Sequence, residues 1–291
     1  MMHTITSTNE TDSTESKFHD YIVEQTPLHA DGRLTRFLGN VRKDTGKCLG
    51  VCTDRYDLVQ NADLIGLSEE MFTARGLTGW ERKEVVSHGG AKARFIYKFP
   101  KVGFSVGRND NLIFALKVQN SFDGSLRASF NIGLFRLICS NGLTIPHKAI
   151  NLSHKHTGTL NAEMLSRGLD QAISQFHQTA PMFEAMSKVV VDQKFGEAVI
   201  DSLVKRSIGG LTDRQAEGIR ALWQNPTHHE DRERTLWSLH NAVTQHLTHN
   251  VENGVKPRFE LAERLSTGIT AEFARAVRNP NLAHALLTAA A

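Results

Sequence analysis

A change of hydrophobic period near residue 160 constrains this chain more than any other feature. Upstream, apolar side chains recur every second residue, in short runs broken by turn residues. Downstream they recur every third or fourth residue. The first pattern belongs to strands half buried in a sheet and the second to amphipathic helices.

Three hairpins are legible upstream. Arg33 to Val41 and Lys47 to Cys52 flank Lys43-Asp44-Thr45-Gly46. Trp80 to Ser87 and Ala93 to Phe99 flank His88-Gly89-Gly90. Leu112 to Asn120 and Leu126 to Cys139 flank Ser121-Phe122-Asp123-Gly124. Successive hairpins build an antiparallel sheet. Between the first two, Leu64, Ile65, Leu67, Met71 and Phe72 lie at helical spacing within Ala62 to Arg75, which predicts a helix covering one sheet face.

Downstream, Leu165, Leu169, Ala172, Ile173 and Phe176 form a helical stripe, continued by Phe183, Met186 and Val190 and then by Phe195, Val199 and Leu203. Thr212 with Gln215 predicts a capping box opening a helix over 213–224. Leu236, Leu239, His240, Val243 and Leu247 stripe the next helix, and Pro257 opens a last one carrying Leu261, Leu265, Ile269, Phe273 and Val277. The expected class is therefore α+β: an N-terminal antiparallel hairpin sheet with one or more covering helices, then an all-helical region. The expected division is a polar, acidic disordered tail over 1–17, a β-rich domain over 18–160 and a helical domain over 161–291.

Charge separates along the same lines. The net charge is +3, yet residues 26–160 hold 19 Lys and Arg against 11 Asp and Glu, while residues 161–291 are near neutral. A basic region attracts polyanions, because neutralised phosphates release counterions. In Lys92 to Lys101 basic and aromatic residues interleave: on a strand Lys92, Arg94, Ile96 and Lys98 share one side, and Ala93, Phe95, Tyr97 and Phe99 the other. Arg94, Lys98, Lys101, Arg127, Arg136 and Lys155 are the expected phosphate contacts, with Phe95 or Tyr97 stacking on unpaired bases. The plainer reading is an amphipathic strand with a solvated charged side.

Other chemistry has less support. The phosphate-cradling, zinc-protease and hydrolase-elbow motifs are absent. Cys139 with His154 or His156, oriented by Asp123, has the ingredients of a thiol nucleophile; the alternative is a buried Cys at a strand end. Cys48 and Cys52 face one side of a strand, and His246 and His249 share a helix face. No second Cys-x-x-Cys accompanies them, and no metal or cofactor is assigned. Three Cys fit a reducing compartment, no apolar run approaches the roughly 20 residues of a membrane helix, and the N-terminus lacks the apolar core of a signal peptide.

Five segments in order carry a resemblance. They are Tyr56 to Asn61, Asn120 to Ser125, Arg136 to Leu143, His154 to Gly158, and Thr235 to Thr244 with His249. Together they resemble the phage/plasmid-like protein family known as domain of unknown function family 932, over about residues 50 to 275. That family's pattern has Thr where this chain has Gly142, and His where it has Phe122, which leaves the Asp123-Gly124 turn without a catalytic His. The resemblance implies a phage, prophage or plasmid source and action in the host bacterial cytoplasm; it implies no reaction. The expected function is a non-enzymatic accessory protein of a mobile element that binds single-stranded DNA in replication or recombination and self-associates as a homo-oligomer. The alternatives are a protein inhibitor of a host defence complex, and a thiol or metal enzyme.

Overall fold

Two-residue alternation and the turns between runs are realised as ten strands among the described residues. The computed structural model describes residues 4–9, 19–108, 110–126, 128–136, 142–144, 152–154, 162–205, 211–249 and parts of 270–278. The strands are β1 (Thr4–Asn9), β2 (Val23–Ala30), β3 (Arg33–Arg42), β4 (Cys48–Thr53), β5 (Glu81–Ser87), β6 (Lys92–Val106), β7 (Asp110–Ser121), β8 (Ala128–Arg136), β9 (Gly142–Thr144) and β10 (Leu152–His154). The helices are α1 (Asn61–Ala74), α2 (Ala162–Lys188), α3 (Gln193–Lys205), α4 (Asp213–Gln224) and α5 (Leu236–His249). The class is α+β, with the sheets in the N-terminal part and most helices in the C-terminal part.

Two sheets form. One has seven strands in the order β1-β5-β6-β7-β8-β10, with β9 on β8; the other is β2-β3-β4. The three expected hairpins join β3 to β4, β5 to β6 and β7 to β8. A fourth was not foreseen: Asp31 and Gly32 both take positive φ, 51° and 73°, and close β2 onto β3 as a mirror-image turn matched to strand twist. The tail expectation needs correcting as well. Thr4–Asn9 pairs with β5, in parallel, within an otherwise antiparallel set of registers; its three Thr and its Ile favour strand.

The chain makes two compact units, and they interleave along the sequence rather than parting near residue 160. The first takes residues 1–101, 115–132 and 149–173, and the second 102–114, 133–148 and 174–291. In the first, α1 lies on the sheet: the Phe72 ring meets Tyr97 at 4.9 Å and Phe99 at 5.1 Å, and Trp80 meets Tyr97 at 5.2 Å. Such aromatic burial contributes area plus about 1 kcal/mol per well-set pair. In the second, Phe176 of α2 meets Phe104 and Phe114, and Phe183 meets Trp237 of α5. Thr212 does cap α4 in a box with Gln215. Val190 departs from its expected stripe: α2 ends at Lys188, and Val190 lies beyond it, 82% exposed. The stripe positions Leu261, Leu265, Ile269 and Val277 lie outside the described residues, whereas Phe273 is buried.

Gly50 of β4 shows how the small sheet meets the large one. A Cβ there would come within 2.5 Å of Asp123 Cα and 2.7 Å of the Phe122 carbonyl, which also accepts the Asn40 amide at 2.6 Å. Gly66, inside α1, has nothing within 4 Å of its missing Cβ. Gly50→Ala is expected to destabilise by about 1–3 kcal/mol through overpacking. Gly66→Ala should stabilise by about 0.5–1 kcal/mol by restricting the unfolded chain and favouring the helix. Urea melts of the two variants check both signs.

Candidate nucleic-acid interface

Strand β6 sorts its side chains as its sequence demands. Ala93, Phe95, Tyr97 and Phe99 are buried, at most 1% exposed, while Lys92, Arg94, Ile96 and Lys98 are partly exposed. The neighbouring register pairs Lys98 with Glu81, Ile96 with Lys83, Arg94 with Val85 and Lys92 with Ser87. Paired residues share a face, so Lys83, Lys92, Arg94 and Lys98 stand together on the side away from the aromatic core. Lys83 sits diagonally between Arg94 and Lys98. Burial lowers the Lys98 pKa, Glu81 across the ladder raises it, and the like charge of Lys83 lowers it again, for a net fall. Lys101 follows the exposed Pro100 and is exposed beside Gly79.

The burial of Phe95 and Tyr97 corrects the stacking expectation. Both rings are 0% exposed, and the Tyr97 hydroxyl donates to Glu69 of α1 at 3.0 Å. That side of the sheet carries its own charges. Arg82 bonds Glu69 and Glu84, and Glu84 also meets the His19 ring at 2.8 Å. Burial pushes the Glu84 pKa up, but His19 and then Arg82 outweigh it and hold the carboxyl below its usual range.

Arg136 is also corrected. It is 0% exposed, inside the second unit. Its Nε donates to Asp110 at 2.7 Å; Nη1 and Nη2 donate to the two carboxylate oxygens of Asp231 at 2.6 and 2.8 Å. Burial opposes the charge, but the bonds to Asp110 and Asp231 prevail, and the guanidinium stays ionised. Trp237 Nε1 donates to Asp110 at 2.7 Å and the Asn241 amide to Asp231 at 2.9 Å. A guanidinium enclosed in this way has no access to a phosphate strand. Arg127, Lys155, Cys139 and His156 lie outside the described residues; His154 is on β10, its backbone paired with Ala128.

Asp123 is held in its turn, where its Oδ1 accepts from Ser125 N at 2.9 Å and Ser125 Oγ at 2.5 Å. Burial pushes its pKa up, and these bonds outweigh it, so the carboxyl titrates below its usual range. Cys48 is exposed and Cys52 half-buried, and neither is in a disulfide. Among the described residues no group of three His, Cys, Asp or Glu is placed to hold a metal ion, and no helix is long and apolar enough to cross a membrane.

Four of the five segments that carried the resemblance meet in pairs. Asn120 donates to the Val59 carbonyl at 2.8 Å and to Asn61 at 3.0 Å, and Tyr56 donates to the Ser121 carbonyl at 2.7 Å. Arg136 meets the Trp237–Asn241 segment through the two aspartates. Asp110 and Asp231 had no sequence signal of their own. Lys83 had none either, since Glu81, Arg82, Lys83 and Glu84 are all charged and do not show which of them face inward.

These features define an α+β protein with a cationic sheet face and, in each unit, a buried polar join. The chain belongs to the family described as domain of unknown function (DUF932), whose model matches residues 48–287. Comparisons with curated proteins and with solved structures give no match.

Two stability predictions come from the second unit. Arg136→Ala leaves two buried carboxylates uncompensated and should cost about 3–5 kcal/mol in urea melts. His240 is wholly buried; burial first, and the Arg136 charge second, push its pKa down to about 3. In the unfolded chain it titrates near its ordinary 6.5. Between these values the unfolded state binds one more proton, so stability falls as pH drops through that window, by about 1.4 kcal/mol per unit. Above pH 6.5 this contribution is flat. Melts over a pH series of the wild type and His240→Asn measure it, with the variant lacking one proton of slope.

Proposed function

We propose that this chain binds nucleic acid through the phosphate backbone, using Lys83, Lys92, Arg94, Lys98 and Lys101. One observation carries the reading: the register of β5 with β6 sets four of these cations on one side of the ladder, away from the aromatic core. A polyanion lying along that side pairs its phosphates with these cations and releases its counterions. The face reads no sequence, because contacts to phosphate position a strand without specifying it. The mobile-element setting that the resemblance implies, with replication or recombination in the host cytoplasm, accords with a sequence-independent binder.

Fluorescence anisotropy with a labelled oligonucleotide over a salt series tests this. Affinity should fall linearly on a log–log plot against salt. Lys83→Glu with Lys98→Glu should weaken binding at least tenfold at low salt and reduce the slope by about one for each lysine lost. Absence of binding at low salt, or affinity indifferent to salt, rejects the reading.

A further inference from the structure

We propose that the β2–β3 hairpin is a stacking arm for single-stranded nucleic acid, with Phe37 as the ring that meets a base and Arg33 and Arg36 as its cations. The proposal rests on the nucleic-acid reading above and adds to it the strandedness of the substrate.

The hairpin outruns its sheet. The β3–β4 ladder ends at Phe37 opposite Thr53. Beyond that point β3 pairs with β2 alone, at His29–Leu34 and Ala30–Arg33, past a register shift between Pro27 and His29. Thr35 fixes the irregular stretch: its hydroxyl donates to the Leu28 carbonyl at 2.8 Å and accepts from Phe37 N at 3.1 Å. A two-stranded ribbon has no layer to cover its side chains, and here large apolar ones stand in solvent beside arginines. Leu34 is 68% exposed and Phe37 39%; with Ile22 and Val51 of the same sheet region they make four of the six exposed large hydrophobics among the described residues.

Charge decides what fits this ribbon. Leu28 to Phe37 holds Arg33 and Arg36 against the single acid Asp31. Among the described residues neither arginine has an ion-pair partner, and the Arg36 guanidinium lies 5.2 Å from the Phe37 ring centre. An excess of arginine over acid complements a phosphate strand, and unpaired bases take an aromatic face beside arginine. Phe95 and Tyr97 are closed to solvent, and Phe37 is the one exposed Phe, Tyr or Trp among the described residues. The arm also precedes residues 48–287, which the family model matches.

The test is anisotropy of the full chain with a single-stranded oligonucleotide and with a duplex of the same sequence. Phe37→Ala should lose about tenfold or more on the single strand and leave duplex binding within twofold. Arg33→Glu with Arg36→Glu should show the same asymmetry, which covers the chance that either variant is misfolded; circular dichroism confirms the fold. Lys83→Glu with Lys98→Glu should weaken both substrates. Single-strand affinity unchanged in Phe37→Ala overturns the arm while leaving the backbone reading intact. So does a Phe37→Ala protein that changes only its sedimentation, which would assign the arm to a second copy of the chain. A wild type that binds neither substrate rejects the underlying reading itself.

Discussion

The alternation of one strand, β6, decides two things at once. Its odd positions bury Ala93, Phe95, Tyr97 and Phe99; Tyr97 and Phe99 meet Phe72 of α1, Tyr97 also meets Trp80, and these rings fasten α1 to the sheet. The same two-residue period then requires Lys92, Arg94 and Lys98 to leave on the other side. A one-residue slip would bury three cations and expose three rings. The cationic face is thus tied to the hydrophobic core through register, and a shift of pairing disturbs both. The pairing with β5 concentrates it further by setting Lys83 opposite Ile96, between two of those cations.

Charge is handled in the opposite way inside. Arg82 is enclosed with Glu69 and Glu84, and Arg136 with Asp110 and Asp231, each cation bonded to two carboxylates. Buried ion pairs of this kind stabilise little relative to apolar packing, because desolvation offsets the Coulomb gain, but removing one partner is costly. What such a join secures is position. Arg136 needs an aspartate from β7 and another from the turn before α5, so it fixes pieces of the second unit that lie more than ninety residues apart in sequence. The segments that carried the family resemblance around Arg136 and Trp237–Asn241 fall on this join.

The sequence showed those features whose signals are local. Alternation gave β6 and both its faces, a three- or four-residue turn with Gly gave each expected hairpin, and Thr212 with Gln215 gave the start of α4. The Asp31-Gly32 turn was equally local and should have been read, since Asp-Gly between strand-forming runs is a strong hairpin signal. Other features were out of reach. Nothing near Arg136 in sequence marks it as buried: an arginine on an alternating strand looks solvated until its acceptors, at positions 110 and 231, are brought to it. The interleaving of the two units was hidden for a related reason, because β6, β7 and β8 each run from one unit into the other. A change of hydrophobic period marks a change of element, not a boundary between packed bodies.

A face with four or five cations has limited strength alone. Counterion release scales with the number of phosphates neutralised, and a net charge of +3 adds no long-range field of consequence. On the proposed reading, useful affinity then requires a term that salt does not screen. Stacking on Phe37 is such a term, since it derives from contact between ring and base and not from charge. The backbone face and the arm consequently divide the work by physics: one sets salt dependence and tolerates any polyanion, the other discriminates unpaired bases from a closed duplex. If the chain also self-associates, each copy adds a further face on the same strand, and the second contact becomes intramolecular, so modest single-site binding would be multiplied without any new chemistry.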